Sequence, residues 1–341
     1  MSLKNLNVNK IPKILKKKLS NKKINKFFNL FEKEIDINED FVVAVSGGPD
    51  SLALAFLCKI YSIRKKIKSR YLIVDHKLRE ESTKEAKEVK KILNNFHIKS
   101  EILTWHGNKP FNNIQSLARK KRYDLLFSKC NKLKIKNLVL GHHLDDLFEN
   151  FFIRMIRGSG LKGLISLEKK TKIGKINIIR PLLNFNKKDL KFISSEVFDF
   201  FVNDPSNDDA KYTRIRMRKL INDFQENGFS KDKLFLTLKN LKKSNEALSF
   251  YVNQNKKMNS FFHREKNELI LDSNFFNHAN EVVFRSFSDS IQFIGGKYNP
   301  SRGKKIDHIL GKIKKNIFKK ETLGGCIIKK VNHTVIIYKE Y

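Results

Sequence analysis

Phe41-Val42-Val43-Ala44-Val45 is a run of five apolar residues with no polar alternation, and it stops at Ser46-Gly47-Gly48. A run that is apolar on both sides reads as a strand buried on both faces, leading into a tight turn. The pattern recurs. Tyr71-Leu72-Ile73-Val74 ends in Asp75-His76, and Ile102-Leu103 lies in a third short strand. Asn137-Leu138-Val139-Leu140 ends in Gly141-His142-His143, and Ile176-Asn177-Ile178-Ile179 precedes Arg180-Pro181. Helical spacing fills the intervals, at about 50–63, 82–96, 113–129 and 144–156. In the second of these, Ala86, Val89, Ile92, Leu93 and Phe96 share one face. Strand and helix alternate, so the predicted class is α/β: a mostly parallel, doubly wound sheet covered on both faces. Ligands of such sheets bind beyond the carboxyl ends of the strands, where three of the motif-bearing turns fall.

A chain of 341 residues fits two or three domains. The first domain is expected over 20–225 and a helical linker over 226–266, with Leu234, Leu238, Leu241, Leu248 and Tyr251 as its packing stripe. A small mixed α/β domain is expected over 267–341. Its extended pieces are Leu269-Ile270-Leu271, Ile291–Phe293 and a hairpin turning at Asn332-His333, with helices near 277–289 and 304–318.

The net charge of +35 points to a polyanionic partner, although a general lysine bias would also raise it. Distribution is more telling than the total. Lysines are scattered everywhere, whereas eight of the 14 arginines lie between Arg119 and Arg218. The guanidinium fork suits phosphates, so clustered arginines favour nucleic acid or polyphosphate. Cys58, Cys130 and Cys326 form no CxxC pair, which argues against a disulfide framework or a structural zinc site and fits a reducing compartment. Cys58 and Cys130 read as core. No apolar run is long enough to span a bilayer, and the lysine-rich first 20 residues lack a signal-peptide core. A cytoplasmic protein with no membrane association is expected. Oligomeric state is not legible, and a homodimer stays open.

Ser46-Gly47-Gly48-Pro49-Asp50-Ser51 follows a buried strand and opens a helix. Two glycines let backbone N–H groups approach an anion, and the helix N-terminus adds partial positive charge. Ser46 and Ser51 offer hydroxyls. Asp50 would repel a phosphate directly, so it reads as a ligand of Mg²⁺ bridging to one; the plainer alternative is a helix-capping Asp. No Gly-Lys-Ser/Thr follows, which excludes a Walker A loop, and there is no GxGxxG.

The hexapeptide resembles the signature of the PP-loop ATP pyrophosphatases, which split ATP between the α and β phosphates. More narrowly, the chain resembles the tRNA(Ile)-lysidine synthases. The likeness rests on Val74-Asp75-His76-Lys77-Leu78-Arg79, Ala118-Arg119-Lys120-Lys121-Arg122-Tyr123 and Gly141-His142-His143-Leu144-Asp145-Asp146-Leu147-Phe148-Glu149-Asn150. Arg154-Met155-Ile156-Arg157-Gly158-Ser159-Gly160, Arg180-Pro181-Leu182-Leu183 and Asp204-Pro205-Ser206-Asn207 extend it. It covers 41–225 well and continues more weakly beyond. Leu147, Asn150 and Lys77 stand where that family usually has Gln, Thr and Gly; the first exchange removes a polar contact to RNA. Larger members carry a further C-terminal domain, for which this chain has no room.

The resemblance implies ATP, Mg²⁺, free L-lysine and an isoleucine tRNA with a CAU anticodon. ATP would be held by Ser46, Gly47, Gly48, Pro49, Asp50, Ser51, Asp75, His76, Arg122 and Gly141, with Asp50 and Asp146 as Mg²⁺ ligands. The catalytic set would be Asp50, His142, His143, Asp145 and Asp146. Lysine would meet Asp145, Asp146 and Glu149, with Asp145 or Asp146 removing its proton and His142 or His143 positioning substrate. At helical offsets 142, 145/146 and 149 share a face, and His143 points roughly 100° away. Arg79, Arg119, Arg154, Arg157, Arg214 and Arg218 would contact tRNA; Arg216 points away from the last two. Asp204 and Asn207 would fix their loop. A zinc site at His142–Asp146 is the metal alternative. Rival functions are a tRNA thiolation enzyme, which would favour a cysteine pair, an ammonia-using small-molecule synthetase, and a non-catalytic RNA-binding protein.

Overall fold

The computed structural model describes residues 11–78, 81–107, 114–202, 213–297 and 301–340, and the side chains of 114–116 are not described. The chain divides into two compact units, Met1–Lys231 and Asp232–Tyr341. Residues 226–266, read above as a linker, therefore belong almost wholly to the second unit.

In the first unit, α1 (Lys13–Leu19) and α2 (Lys22–Glu34) precede β1 (Phe41–Val45), α3 (Pro49–Lys65) and β2 (Ser69–Asp75). Then follow α4 (Ser82–Asn95), β3 (Ser100–Thr104), α5 (Ile114–Lys132), β4 (Asn137–Val139) and α6 (Leu144–Ile156). The one-turn α7 (Leu161–Leu164), β5 (Lys170–Ile173), β6 (Ile176–Ile179), α8 (Lys187–Phe198) and α9 (Thr213–Glu226) complete it. The six strands run in the order β3-β2-β1-β4-β6-β5. All neighbours are parallel except β5, which lies antiparallel on β6.

The sheet is covered on both faces, as the unbroken apolar runs require. Phe41, Val43 and Val45 pack toward α2, α3 and α8, while Val42 joins Leu126 and Cys130 of α5 on the other side. Between Leu52 and Cys58 every residue of α3 is fully buried, which explains why that helix shows no polar stripe. Strand order reverses direction between β1 and β4. A parallel sheet opens a crevice at such a point, and the turns after those two strands carry Ser46-Gly47-Gly48 and Gly141-His142-His143.

The second unit holds α10 (Lys231–Asn259) from Asp232 onward, its first residue Lys231 being the last of the first unit, then β7 (Ser260–His263), β8 (Glu268–Leu271), α11 (Asn280–Gly295), α12 (Gly303–Lys314), β9 (Lys320–Leu323), β10 (Cys326–Val331) and β11 (Thr334–Lys339). Its antiparallel sheet runs β7-β8-β11-β10-β9. Leu271, Phe275, Phe287, Ile291, Ile309 and Ile337 lie in its core. The hairpin turns at Asn332-His333, with Asn332 left-handed at φ 53°. Ile291–Phe293, expected as extended, lies inside α11, because Phe287, Ile291 and Ile294 form a helical core stripe. Along α10 the buried stripe passes through Leu234, Leu238, Val252 and Asn255, whereas Tyr251 is exposed. Among the described residues no helix is long and apolar enough to cross a membrane.

Candidate active site

The turn after β1 is built to leave a helix end open. Gly48 is the N-cap of α3, Pro49 fills the first helical position, and none of the described side chains caps the helix. The Ser51 hydroxyl ties the loop instead. It donates to the Gly48 carbonyl at 2.9 Å and accepts from the Ser46 N–H at 3.1 Å and the Ser46 hydroxyl at 3.2 Å. Gly47 has φ +87°, and a Cβ there would meet Val89 at 2.6 Å. Its carbonyl accepts from the Val202 N–H, so Gly47 shapes the loop while Gly48 faces open space. At the end of β4 a Cβ on Gly141 would lie 3.3 Å from the Asp50 carbonyl. Gly141 thus lets the two turns close on each other.

Three carboxylates and a histidine meet where these turns touch. His143 is the N-cap of α6 in a reciprocal capping box: its ring accepts from the first turn, and its own N–H donates to Asp146 Oδ2 at 3.0 Å. The Asp145 N–H points at Nδ1 at 3.2 Å, so Nδ1 accepts and Nε2 carries the proton. Nε2 then lies 3.5 Å from both Asp50 Oδ2 and Asp146 Oδ2. Burial works to lower the His143 pKa, but the Asp50 hydrogen bond and the charges of Asp146, Asp50 and Asp145 outweigh it and hold it above the usual value. Asp146 is held below the usual carboxylate range: burial raises it, and His143, His142, the backbone bond and Arg214 overcome that.

Three cavities adjoin this cluster. The first, about 530 Å³, has apolar walls from Ala44, Leu72, Val74, Leu126 and Leu140 and polar edges at Ser46, Asp50, His76, Arg119, Arg122 and His142. The second, about 790 Å³, is lined by Gly48, Asp50, Asp146, Arg122 and the cations Lys187, Lys191, Arg218 and Lys219. Ser46, Gly48, Asp50, Glu85 and Arg122 line both. The third, about 540 Å³, is reached past His143 and lined by Asp145, Glu149, Lys187, Arg218 and Lys231.

The first cavity holds three polar atoms with no hydrogen-bond partner among the described residues: Asp50 Oδ1, His76 Nδ1 and His142 Nδ1, all buried. Burial, reinforced by Arg180, Arg119 and Arg122 against Asp146, pushes His142 down to about 3, so its ring is neutral. Burial, then Arg122, also lowers His76 against the pull of Asp75. In the third cavity Glu149 is 1% exposed; Oε1 accepts from Arg218 Nε at 2.5 Å and Oε2 has no partner. Burial raises its pKa despite Arg218.

Several sequence expectations change. The helix of the His-His-Asp-Asp segment starts only at Leu144, so His142 precedes it and His143, not His142, meets Asp146. Asp75 lines none of these three cavities. It is 2% exposed, and its carboxylate accepts from the Lys77 N–H and the Ser82 and Thr83 hydroxyls, so it ties its own turn. Lys77 has φ +49°, which accounts for a glycine at that place in the resembled family. Leu147 is 2% exposed and belongs to the interior, so position 147 offers nothing to RNA; Asn150 donates to Ser166. Arg154 and Arg157 are exposed and line none of these cavities, whereas Arg119 and Arg214 line the first and Arg218 the other two. Arg79, Asp204 and Asn207 lie outside the described residues. Sequence reasoning missed Glu85, Lys187, Lys191, Lys219 and Lys231. Nothing distinguishes Lys191, Lys219 and Lys231 from the other lysines, whereas Lys187 follows the Arg180–Leu183 motif closely enough to have been suspected.

Comparison with known proteins agrees with this fold. The PP-loop domain family matches residues 17–224. A tRNA(Ile)-lysidine synthase of Orientia tsutsugamushi is 34% identical over 92% of this chain and 72% of that protein. One of Wolbachia pipientis is 32% identical over 92% of this chain and 74% of its own length. A U34-tRNA thiolase of Methanococcus maripaludis, solved with its [4Fe-4S] cluster, superposes with a TM-score of 0.56 at 16% identity over 66% of this chain and 79% of that one, a likeness of fold alone. The chain belongs to the tRNA(Ile)-lysidine synthase family of PP-loop proteins.

Proposed function

We propose that the protein ligates free L-lysine to C2 of the wobble cytidine in an isoleucine tRNA bearing a CAU anticodon. ATP adenylates the cytidine O2 and pyrophosphate leaves; the lysine amine then attacks C2 and AMP leaves. The observation that carries this reading is the trio of unpartnered buried atoms, Asp50 Oδ1, His76 Nδ1 and His142 Nδ1, around a nucleoside-sized cavity beside an uncapped helix N-terminus.

The adenosine lies in the first cavity against Leu72 and Leu126. Its phosphates run over Gly48 into the second, where Arg122, Lys187 and Lys191 balance charge on the departing pyrophosphate. Asp50 and Asp146 are the Mg²⁺ ligands. Asp50 keeps an unpartnered oxygen, and two carboxylates with phosphate oxygens and water form a donor set that Mg²⁺ accepts. Bound there, Mg²⁺ offsets the negative charge that develops on the phosphates. The Nε2–H of His143 holds the two carboxylates in place. In the third cavity Glu149 and Asp145 receive the lysine ammonium, and a carboxylate removes the proton that must leave before the amine can attack.

Thiolation fits less well, since Cys58, Cys130 and Cys326 are separate, fully buried thiols whose pKa burial raises. The reading places the protein with its tRNA in the cytoplasm. The test incubates the protein with CAU-anticodon isoleucine tRNA, labelled lysine and Mg-ATP. Label transfer to tRNA with AMP release is expected. Pyrophosphate release with a different acceptor, and no label transfer, overturns the lysine step and retains ATP cleavage.

A further inference from the structure

The third cavity contains an ammonium of the protein's own. Lys231, the residue that opens α10, places Nζ 2.7 Å from Asp145 Oδ1. The other oxygen of Asp145 accepts from the Lys187 N–H at 3.4 Å. Asp145 is therefore engaged on both oxygens, whereas Glu149 Oε2 in the same cavity has no partner among the described residues. The occupant of Asp145 is a primary ammonium on a four-carbon stem. That is also the side chain of the free amino acid assigned to this cavity.

We propose that Lys231 is an internal competitor for the amine subsite, which free lysine displaces from Asp145. This inference rests on the reading of the cavity as the lysine site. The pair is suited to exchange. Lys231 is 30% and Asp145 22% exposed, and ion pairs this open contribute little to stability. An incoming ammonium replaces one carboxylate contact with an equivalent one, so the exchange itself is nearly neutral. A neutral side chain cannot make that replacement, and Lys231 stays in place against it. The arrangement selects a cationic side chain by making the empty subsite unavailable to any other. Glu149, buried and unmatched at Oε2, is the group that holds the ligand once it has entered.

The test measures steady-state lysine ligation by the full chain carrying Lys231→Met, with Lys231→Gln as a second uncharged variant and Lys231→Arg as the charged control. Removing the competitor lowers KM for lysine by about two- to five-fold while KM for ATP stays in place. The arginine variant does not lower it. A lysine KM that is unchanged or raised in both uncharged variants, with ATP binding intact, overturns the inference and leaves the ligation reading standing. A wild-type protein that releases pyrophosphate but transfers no lysine overturns both.

Discussion

The two units bury polar groups for opposite reasons. In the second, Asn255 is 1% exposed and donates to the Phe275 carbonyl at 3.1 Å and to Ser286 Oγ at 3.2 Å, while its own oxygen accepts from Asn259 at 2.8 Å. Ser286 and Ser290 donate back along α11 to the carbonyls of Val282 and Ser286. That network closes on itself almost completely; Arg285 Nη2, beside a guanidinium already bonded to Glu281 and Asn245, is the exception. In the first unit, three of the unpartnered atoms, Asp50 Oδ1, His76 Nδ1 and His142 Nδ1, converge on one cavity at the carboxyl ends of β1, β2 and β4, while Glu149 Oε2 lies in the third cavity and Ser100 Oγ and Arg180 Nε lie elsewhere. Each unsatisfied buried group costs about 1–3 kcal/mol. A satisfied network marks structure, and a convergent set of unsatisfied groups marks where a ligand completes it.

Asp50→Asn tests the comparison most severely. It removes the charge from a carboxylate that has one unpartnered oxygen facing the cavity, so adenylation, read as pyrophosphate release, should fall by about 10²–10³-fold. The melting temperature should not fall and tRNA binding should persist; lost tRNA binding would mean that Asp50 belongs to a different interaction. Asn255→Leu should do the reverse. Stranding three partners in the second unit should cost about 2–3 kcal/mol in urea unfolding, with adenylation per folded molecule unchanged.

Asp75 lies in the first unit yet behaves like the second, because all its bonds are internal. Asp75→Ala should lower stability by about 1–2 kcal/mol at neutral pH. Burial alone would raise the Asp75 pKa, but Thr83, Lys77 and Ser82 overcome it and the folded value lies below the ordinary one. The unfolded chain therefore binds the proton first as pH falls. The contribution is complete above the ordinary carboxylate pKa and disappears as pH drops through the lowered folded value. Urea midpoints of wild type and variant should converge there; a gap that persists in acid would place the effect elsewhere. The smallest effect belongs to Lys77→Gly, which relieves a left-handed side-chain residue at φ +49° and should raise stability by up to about 1 kcal/mol in the same assay.

What was legible in the sequence follows the range of the forces involved. β1, β2, β4 and β6 declared themselves because a strand buried on both faces is mostly apolar; Asn137 and Asn177, polar exceptions in β4 and β6, hydrogen-bond each other. β5, Lys-Thr-Lys-Ile, is an edge strand with its lysines exposed, and its composition resembles a loop. Ile291–Phe293 looked extended because three residues are too few to show the i, i+4, i+7 spacing of Phe287, Ile291 and Ile294. The site divided in the same way. Asp50, His143 and Asp146 stand in short contiguous motifs. Glu85, Lys187 and Lys231 reach the cavities from α4, α8 and α10, and only the folded chain brings them there.

The capping box at the start of α6 gives that division a cause. The bond from the His143 N–H to Asp146 that begins the helix also sets the imidazole between Asp50 and Asp146. Four consecutive residues thus carry both a folding instruction and the geometry of the candidate site, and neither can be edited alone. A substitution that frays the first turn of α6 blurs the chemistry before the rest of the domain loosens. This half of the site behaves as a single word of sequence, copied or lost whole, whereas the lysines around the acceptor side can be exchanged one at a time.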